Sequence, residues 1–312
     1  MSSHTPLGPG REFDAIRALL SRWGPRAHTI GDDAALVEVP PGERLVVSTD
    51  TSIEDVHFRR AWLSPGEIGW RATTAGLSDL AAMGARPLGV LVALTVPESW
   101  RAALGEIADG IGAAVEAVNA PIIGGDLNGG QALTLGITVL GSAARPLLRS
   151  GARPGDALWL TGALGGPGAA LTAWHIGGLP STAHRERFAR PAARIAAGQW
   201  LAAHGACAAI DISDGLVSDA RHVAAASGVA LHIDLEAVPI VPGVNPTDAI
   251  SSGEEYELLV AAPAGLDAHA FASECGLRLT RIGEAETGSA GVTVTRAGVR
   301  IEARSGHDHF SP

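Results

Sequence analysis

Gly31-Asp32-Asp33-Ala34-Ala35-Leu36-Val37 is followed, after a turn at Pro40-Pro41-Gly42, by Leu45-Val46-Val47-Ser48-Thr49-Asp50-Thr51, with His57 shortly beyond. Both runs are short and β-prone and carry a carboxylate at one end. They predict two strands whose ends hand side chains to a ligand or to solvent. Asp33, Ser48, Thr49 and Asp50 offer hard oxygen donors, which suit Mg²⁺ or Ca²⁺ better than zinc or copper. Taken singly, each piece reads as an Asx turn or a plain strand end.

The same habit recurs along the chain, and that recurrence changes the weighting. Ser64-Pro65-Gly66-Glu67 has the form of a capping box with proline at the first helical position, so a helix is expected towards Met83, carrying Asp79. Ile122-Ile123 leads into Gly124-Gly125-Asp126, and Ile210-Asp211-Ile212-Ser213-Asp214-Gly215 places two carboxylates and a hydroxyl at a strand-to-helix turn. Gathering Asp33, Asp50, Asp79, Asp126, Asp211 and Asp214 without counter-charge is costly, since a like-charge pair at about 4 Å costs roughly 4 kcal/mol at intermediate dielectric. Divalent cations relieve that repulsion, and Mg²⁺ on carboxylates takes phosphate oxygens as further ligands, which points to a nucleotide substrate.

The rest of the chain supplies an α/β frame. Helical spacing runs from Glu12 to Trp23, and from a cap at Ser99 to Val118. Leu88–Leu94 is apolar enough for a strand covered on both faces. Leu133–Leu140 is a further strand, and Arg145-Pro146 to Arg153-Pro154-Gly155 reads as a joint, giving domains at 1–148 and 149–312. Beyond it come strands at Leu158–Thr161, Val229–Ile233 and Leu258–Ala261, and helices after Pro167, from Pro191 to Gly205 and at Leu266–Cys275. A hairpin turns at Ala297-Gly298.

Composition excludes several functions. The 312 residues carry a formal charge of −10 and no lysine, which argues against nonspecific nucleic-acid binding and removes P-loop and Schiff-base lysine chemistry. Cys207 and Cys275 form no C-x-x-C pair and read as buried thiols in a reducing compartment. With no signal-peptide pattern and no apolar run of membrane length, a soluble cytoplasmic protein without membrane partners is expected.

Three further motifs are less decisive. Gly162-Ala163-Leu164-Gly165-Gly166-Pro167-Gly168 lacks the spacing of a dinucleotide or P-loop motif, so a structural turn outweighs a phosphate cradle. His307-Asp308-His309 reads as surface tail rather than zinc site. Gly253-Glu254-Glu255-Tyr256-Glu257 is either a solvated acidic run or a ligand loop.

Taken together, these motifs resemble the thiamine-monophosphate kinase family, of the superfamily that includes aminoimidazole ribonucleotide synthetase. The likeness is carried by Gly31-Asp32-Asp33-Ala34, Ser48-Thr49-Asp50-Thr51, Leu77-Ser78-Asp79-Leu80-Ala81-Ala82-Met83-Gly84-Ala85, Gly124-Gly125-Asp126, Arg149-Ser150-Gly151-Ala152-Arg153-Pro154-Gly155-Asp156, Asp211-Ile212-Ser213-Asp214-Gly215-Leu216 and Gly253-Glu254-Glu255-Tyr256-Glu257-Leu258. It implies a two-domain fold: an N-terminal domain that closes a shared β-barrel in a homodimer, and a C-terminal α/β sandwich. The implied reaction is ATP- and Mg²⁺-dependent phosphorylation of thiamine monophosphate.

The resemblance also implies roles. Asp33, Ser48, Thr49, Asp50, Asp79, Asp126, Asp211 and Asp214 would hold several Mg²⁺ ions, with Asp50, Asp126 and Asp211 at the chemistry. Gly125, Asp126, Arg149 and Ser213 would contact ATP. His57, Glu254 and His307 would contact the acceptor, His307 standing where the family has an aromatic residue. Other departures are Glu255 for Asp, Ser252 for Gly, Gly76 for Asn, and Leu127 for Thr or Ser. The rival readings are a superfamily enzyme that activates an amide or carbamoyl oxygen with ATP, and a noncatalytic nucleotide-binding homologue.

Overall fold

A computed structural model describes His4, residues 7–302 and Gly306. The chain divides into two compact units. One takes in the chain up to Leu80 together with Arg86–Ala144, and the other takes in Ala81–Ala85 and the chain from Arg145 onward.

In the first unit, α1 (Arg11–Trp23) precedes β1 (Arg44–Ile53), α2 (Pro65–Ala82), β2 (Arg86–Thr95), α3 (Leu104–Ala117), β3 (Ile122–Asn128) and β4 (Thr134–Ala143). The strands form a sheet in the order β1-β4-β2-β3, antiparallel except for the parallel β2–β3 pair. Helix α2 starts as its capping box dictates: the Ser64 amide and hydroxyl donate to Glu67 Oε2 at 2.8 and 3.0 Å. It packs on one face of the sheet, where a side chain at Gly76 would meet Ile137 and Val139. Helices α2 and α3 touch backbone to backbone. A Cβ at Gly69 would lie 2.1 Å from the Ile107 carbonyl, and one at Gly110 1.9 Å from that of Gly66, so neither position admits a side chain. Trp23 Nε1 donates to the Ala108 carbonyl at 2.8 Å and ties α1 to α3.

The register decides which side chains share a face. Val92, Ile137 and Val139 are buried on the helix side. On the opposite side, Leu45 and Val47 of β1 are 50% and 56% exposed, and Ala93 of β2 is exposed. The expectation of a β2 covered on both faces is therefore met on one face only within this chain.

The second unit contains β5 (Ala157–Thr161), α4 (Gly166–His175), α5 (Thr182–Ala189), α6 (Ile195–Ala203), β6 (Ala208–Asp211), α7 (Leu216–Ser227), β7 (Ala230–Asp234), α8 (Pro246–Ala249), β8 (Leu258–Ala262), α9 (Ala268–Cys275), β9 (Leu279–Glu286), β10 (Gly291–Arg296) and β11 (Val299–Ile301). Its sheet runs β11-β10-β7-β9-β5-β8-β6. Leu158, Leu160, Ile210, Leu231, Ile233 and Leu259 from the strands pack with Leu216, Val217 and Val223 of α7 in one core.

Several expectations are corrected. The run at residues 34–37 is not a strand: among the described residues it pairs with no strand, and Leu36 is 96% exposed. Asp50 and Asp126 lie within β1 and β3 rather than at strand ends. Ser99 does not cap a helix; a 3₁₀ turn at Glu98–Ala103 precedes α3. The helix expected from Pro191 begins at Ile195, after an irregular stretch. Cys207 and Cys275 are free thiols, but half-buried rather than buried.

Candidate active site

In the first unit the sequence-predicted residues fall into two groups. Ser48 and Asp50 lie two apart on β1, on the side that faces α2, and Ser48 Oγ donates to Asp79 Oδ2 of α2 at 2.5 Å. Asp50 Oδ1 accepts the Thr51 amide at 2.7 Å. Thr49 points to the open side of the sheet, its hydroxyl 3.0 Å from that of Thr138. The second group is Asp33, Gly125 and Asp126. They line a cavity of about 430 Å³ whose other wall is apolar, formed by Phe13, Ile16, Leu20 and Trp23. Gly125 has no alternative there, since a Cβ would lie 2.0 Å from the Val92 carbonyl.

Asp50 and Asp126 are not brought together within this unit. They sit on β1 and β3, the two edges of the sheet, and are separated by three strand spacings, roughly 14 Å along the sheet. His57 Nδ1 accepts the Ile53 amide at 3.1 Å, which fixes its ring at the end of β1 and directs the N–H of a neutral imidazole to Nε2.

In the second unit the candidate residues gather at the C-terminal end of β6. Asp211 closes the strand and is 6% exposed, and Ser213 and Asp214 follow in the turn into α7. The acidic run 253–257 lies against this turn: the Glu254 amide donates to the Ser213 carbonyl at 2.7 Å, and the Tyr256 amide to that of Ile212 at 2.9 Å. Glu254 and Tyr256 adopt positive φ (64° and 53°), and Tyr256 Oη donates to Glu254 Oε2 at 2.7 Å. The run is thus a folded loop and not a solvated acidic face. Arg149 is exposed, its carbonyl held by Ser227 Oγ at 2.8 Å. His307 lies outside the described residues.

Sequence reasoning missed the groups that hold these loops. Asp219 of α7 accepts three amides of the 213–215 turn; burial pushes its carboxyl up to about 7, the nearby Asp211 and Asp214 push the same way, and the amide bonds oppose them. Glu257 receives Arg194 Nε at 2.9 Å and Thr161 Oγ1 at 2.7 Å. Glu255 accepts the Gly165 amide and Ser252 Oγ at 2.5 and 2.6 Å, with Arg187 Nη2 3.5 Å away. Two of the family departures, Ser252 and Glu255, therefore touch each other. Together they occupy the N-terminus of α4, where the glycine-rich loop offered a phosphate position, so that loop is a structural turn capped by the protein's own carboxylate. For Glu257 with Arg194 and Thr161, and for Glu255 with Gly165, the signal was out of reach, the partners lying 63 to 96 positions apart; Asp219 bonds amides only four to six positions away and could have been read as a local turn clamp. His232, Glu284 and Glu286 also bring ligand-type atoms within 4.8 Å of one another, but on β7 and β9, several strands from β6, with Glu284 already paired to Arg281 at 3.0 Å.

The family models for AIR synthase related protein match residues 31–143 with the N-terminal domain and 153–295 with the C-terminal domain. The chain is 36% identical to the thiamine-monophosphate kinase of Salmonella typhimurium, over 96% of each chain. The chain belongs to the thiamine-monophosphate kinase family. Among solved structures, the thiamine-monophosphate kinase of Stenotrophomonas maltophilia matches with a TM-score of 0.81 and 35% identity, covering 95% of this chain and 98% of the other. AaThiL, solved in complex with AMPPCP and TMP, matches with a TM-score of 0.78 and 30% identity over 96% and 97%. In this thiamine-monophosphate kinase family member, the two superfamily domains correspond to the mixed α/β units described above.

Proposed function

We propose that this protein transfers the γ-phosphoryl group of ATP to thiamine monophosphate, giving thiamine diphosphate and ADP. Full-length likeness to thiamine-monophosphate kinases supports this over amide activation or noncatalytic binding, as does the complex of AaThiL with AMPPCP and TMP. The observation that carries the reading is an oxygen-only donor set in both units: Ser48 on Asp79 at 2.5 Å in one, and in the other Asp211 at the end of β6 with Ser213 and Asp214 in the turn into α7. That set fits Mg²⁺, and we assign Asp33, Ser48, Thr49, Asp50, Asp79, Asp126, Asp211 and Asp214 to it. Bound Mg²⁺ would supply charge neutralisation and a fixed template for the phosphates.

The remaining roles follow from what the chain itself offers. The acceptor is a phosphate monoester with a second pKa near 6, so at neutral pH it is already largely an anionic nucleophile and needs no general base. The task left to the protein is alignment and charge compensation for an in-line attack with direct transfer. Arg149, Gly125, Asp126 and Ser213 are assigned to ATP, and His57 and Glu254 to the acceptor. We further propose that residues 1–148 bind nucleotide and dimerise and that 149–312 complete the nucleotide and acceptor sites. A homodimer is supported by the open apolar side of the first sheet, with Leu45 and Val47 exposed, and by its edges: among the described residues the outer edge of β1 pairs with no strand, and that of β3 is bridged by Ala27 at Ile122 alone. A cytoplasmic setting is supported by two free cysteines; among the described residues, no helix is long and apolar enough to cross a membrane.

The test is to offer the protein thiamine monophosphate and thiamine side by side with ATP and Mg²⁺. Conversion of the monophosphate alone is expected. Equal phosphorylation of thiamine, whose alcohol needs a base, would overturn this mechanism.

A further inference from the structure

Three successive amides at a strand-to-helix turn, such as those of Ser213, Asp214 and Gly215, form the kind of concavity that receives phosphate in other folds. Here the protein fills it. Asp219, one turn into α7 and 2% exposed, places Oδ2 3.1 Å from each of the three amide nitrogens. Two carbonyls of the turn are hydrogen-bonded as well, that of Gly215 accepting the Asp219 amide at 3.0 Å. The Glu254 amide donates to the Ser213 carbonyl at 2.7 Å, and Gly306 packs so closely on the Asp214 carbonyl that a Cβ there would lie 1.7 Å from it. The three amides and the Ser213 and Gly215 carbonyls are therefore occupied from within, and the side chains are what the turn presents to a ligand.

We propose that Asp219 is a positioning residue: by holding the three amides it fixes the turn, occupies its anion seat, and makes contact with a nucleotide's phosphates depend on cations held by Asp211 and Asp214. This inference rests on the proposed function, in which those two carboxylates hold Mg²⁺. Its chemical consequence is selection. An unmetalled triphosphate finds two carboxylates and no open amides, so the turn rejects it, whereas the cation-bound nucleotide is accepted.

The test is calorimetric binding of an unreactive ATP analogue, AMPPCP, to the full chain in excess Mg²⁺ and in EDTA, for wild type, Asp219→Asn and Asp219→Ala. Wild type is expected to bind at least about tenfold more tightly with Mg²⁺ than without it. Asp219→Ala opens the amides to phosphate and should lose most of that ratio, mainly by tighter binding in EDTA. Asp219→Asn keeps an acceptor oxygen for the amides and should hold the ratio within about threefold of wild type. If the alanine variant does not fold by circular dichroism, Asp219→Ser, too short to reach all three amides, takes its place with the same expectation. A wild-type ratio in the alanine or serine variant, or an asparagine variant that behaves like alanine, overturns the role of Asp219 alone. Equal binding by wild type with and without Mg²⁺ overturns the cation reading beneath it.

Discussion

Asp50 occupies an edge strand, half-exposed, with one carboxylate oxygen on its neighbour's amide. Asp50→Asn should therefore leave stability within about 0.5 kcal/mol of wild type while removing roughly 3 kcal/mol of transition-state stabilisation, about a hundredfold in kcat. Urea melts and initial rates check both halves, and a near-normal rate at low Mg²⁺ would sink the assignment. Glu255 gives a prediction in pH. Its burial outweighs the hydrogen bonds from Ser252 and Gly165 and the nearby Arg187, raising its carboxyl from 4.5 to about 7. Between these values the folded chain keeps a proton that the unfolded chain releases. The stability it contributes is thus full below pH 4.5 and is lost as pH rises through 7. The Tm of Glu255→Gln should gain on that of wild type between about pH 5 and pH 8, and a constant gap would contradict the burial cost. At this scale the sequence made the acidic candidates visible, because Gly-Gly-Asp and Asp-x-Ser-Asp-Gly are local patterns. It hid Arg187 and Arg194, whose importance comes from partners met only in the fold, whereas Asp219, four to six positions from the amides it holds, was within reach and was missed.

Helix α2 carries Asp79, and its start depends on the reciprocal bonds between Ser64 and Glu67. Ser64→Ala should cost about 1 kcal/mol in urea unfolding, because it removes the cap and strips a partner from the buried Glu67 carboxylate, while KM for ATP stays unchanged. A loss below about 0.3 kcal/mol would show that packing against the sheet, and not the cap, sets the helix start. Elements with strong local signals were legible: α1, the α2 cap, β5 and the hairpin at Ala297-Gly298 lie within a residue or two of expectation. Strand β9 was missed because Arg281, Gly283, Glu284 and Glu286 break its apolar run, although it lies between β5 and β7 in the sheet. The run at residues 34–37 looked like a strand from composition alone. Pairing decides strands, and among the described residues that run pairs with none.

For the whole molecule, the N-terminal sheet leaves one side open, with the edge of β1 unpaired among the described residues and that of β3 bridged at Ile122 alone, which local periodicity could not reveal because β2 is apolar at nearly every position. A second copy of the chain covering that side would bury Leu45 and Val47 and close the edges. Light scattering at micromolar concentration should give a dimer for wild type and a monomer for Val47→Asp, which sets a charge in the covered face. A monodisperse wild-type monomer with full activity would contradict this. Asp50 and Asp126 on opposite edges of one sheet make the oligomeric state relevant to chemistry, since neither edge alone gathers the acidic set. The most direct measurement is a ³¹P NMR time course of the purified protein with ATP, Mg²⁺ and thiamine monophosphate. It should show the β-phosphorus resonance of thiamine diphosphate growing in step with ADP, without free phosphate. ATP consumed to ADP and inorganic phosphate with no diphosphate formed, or no consumption at all, would contradict the proposed kinase activity.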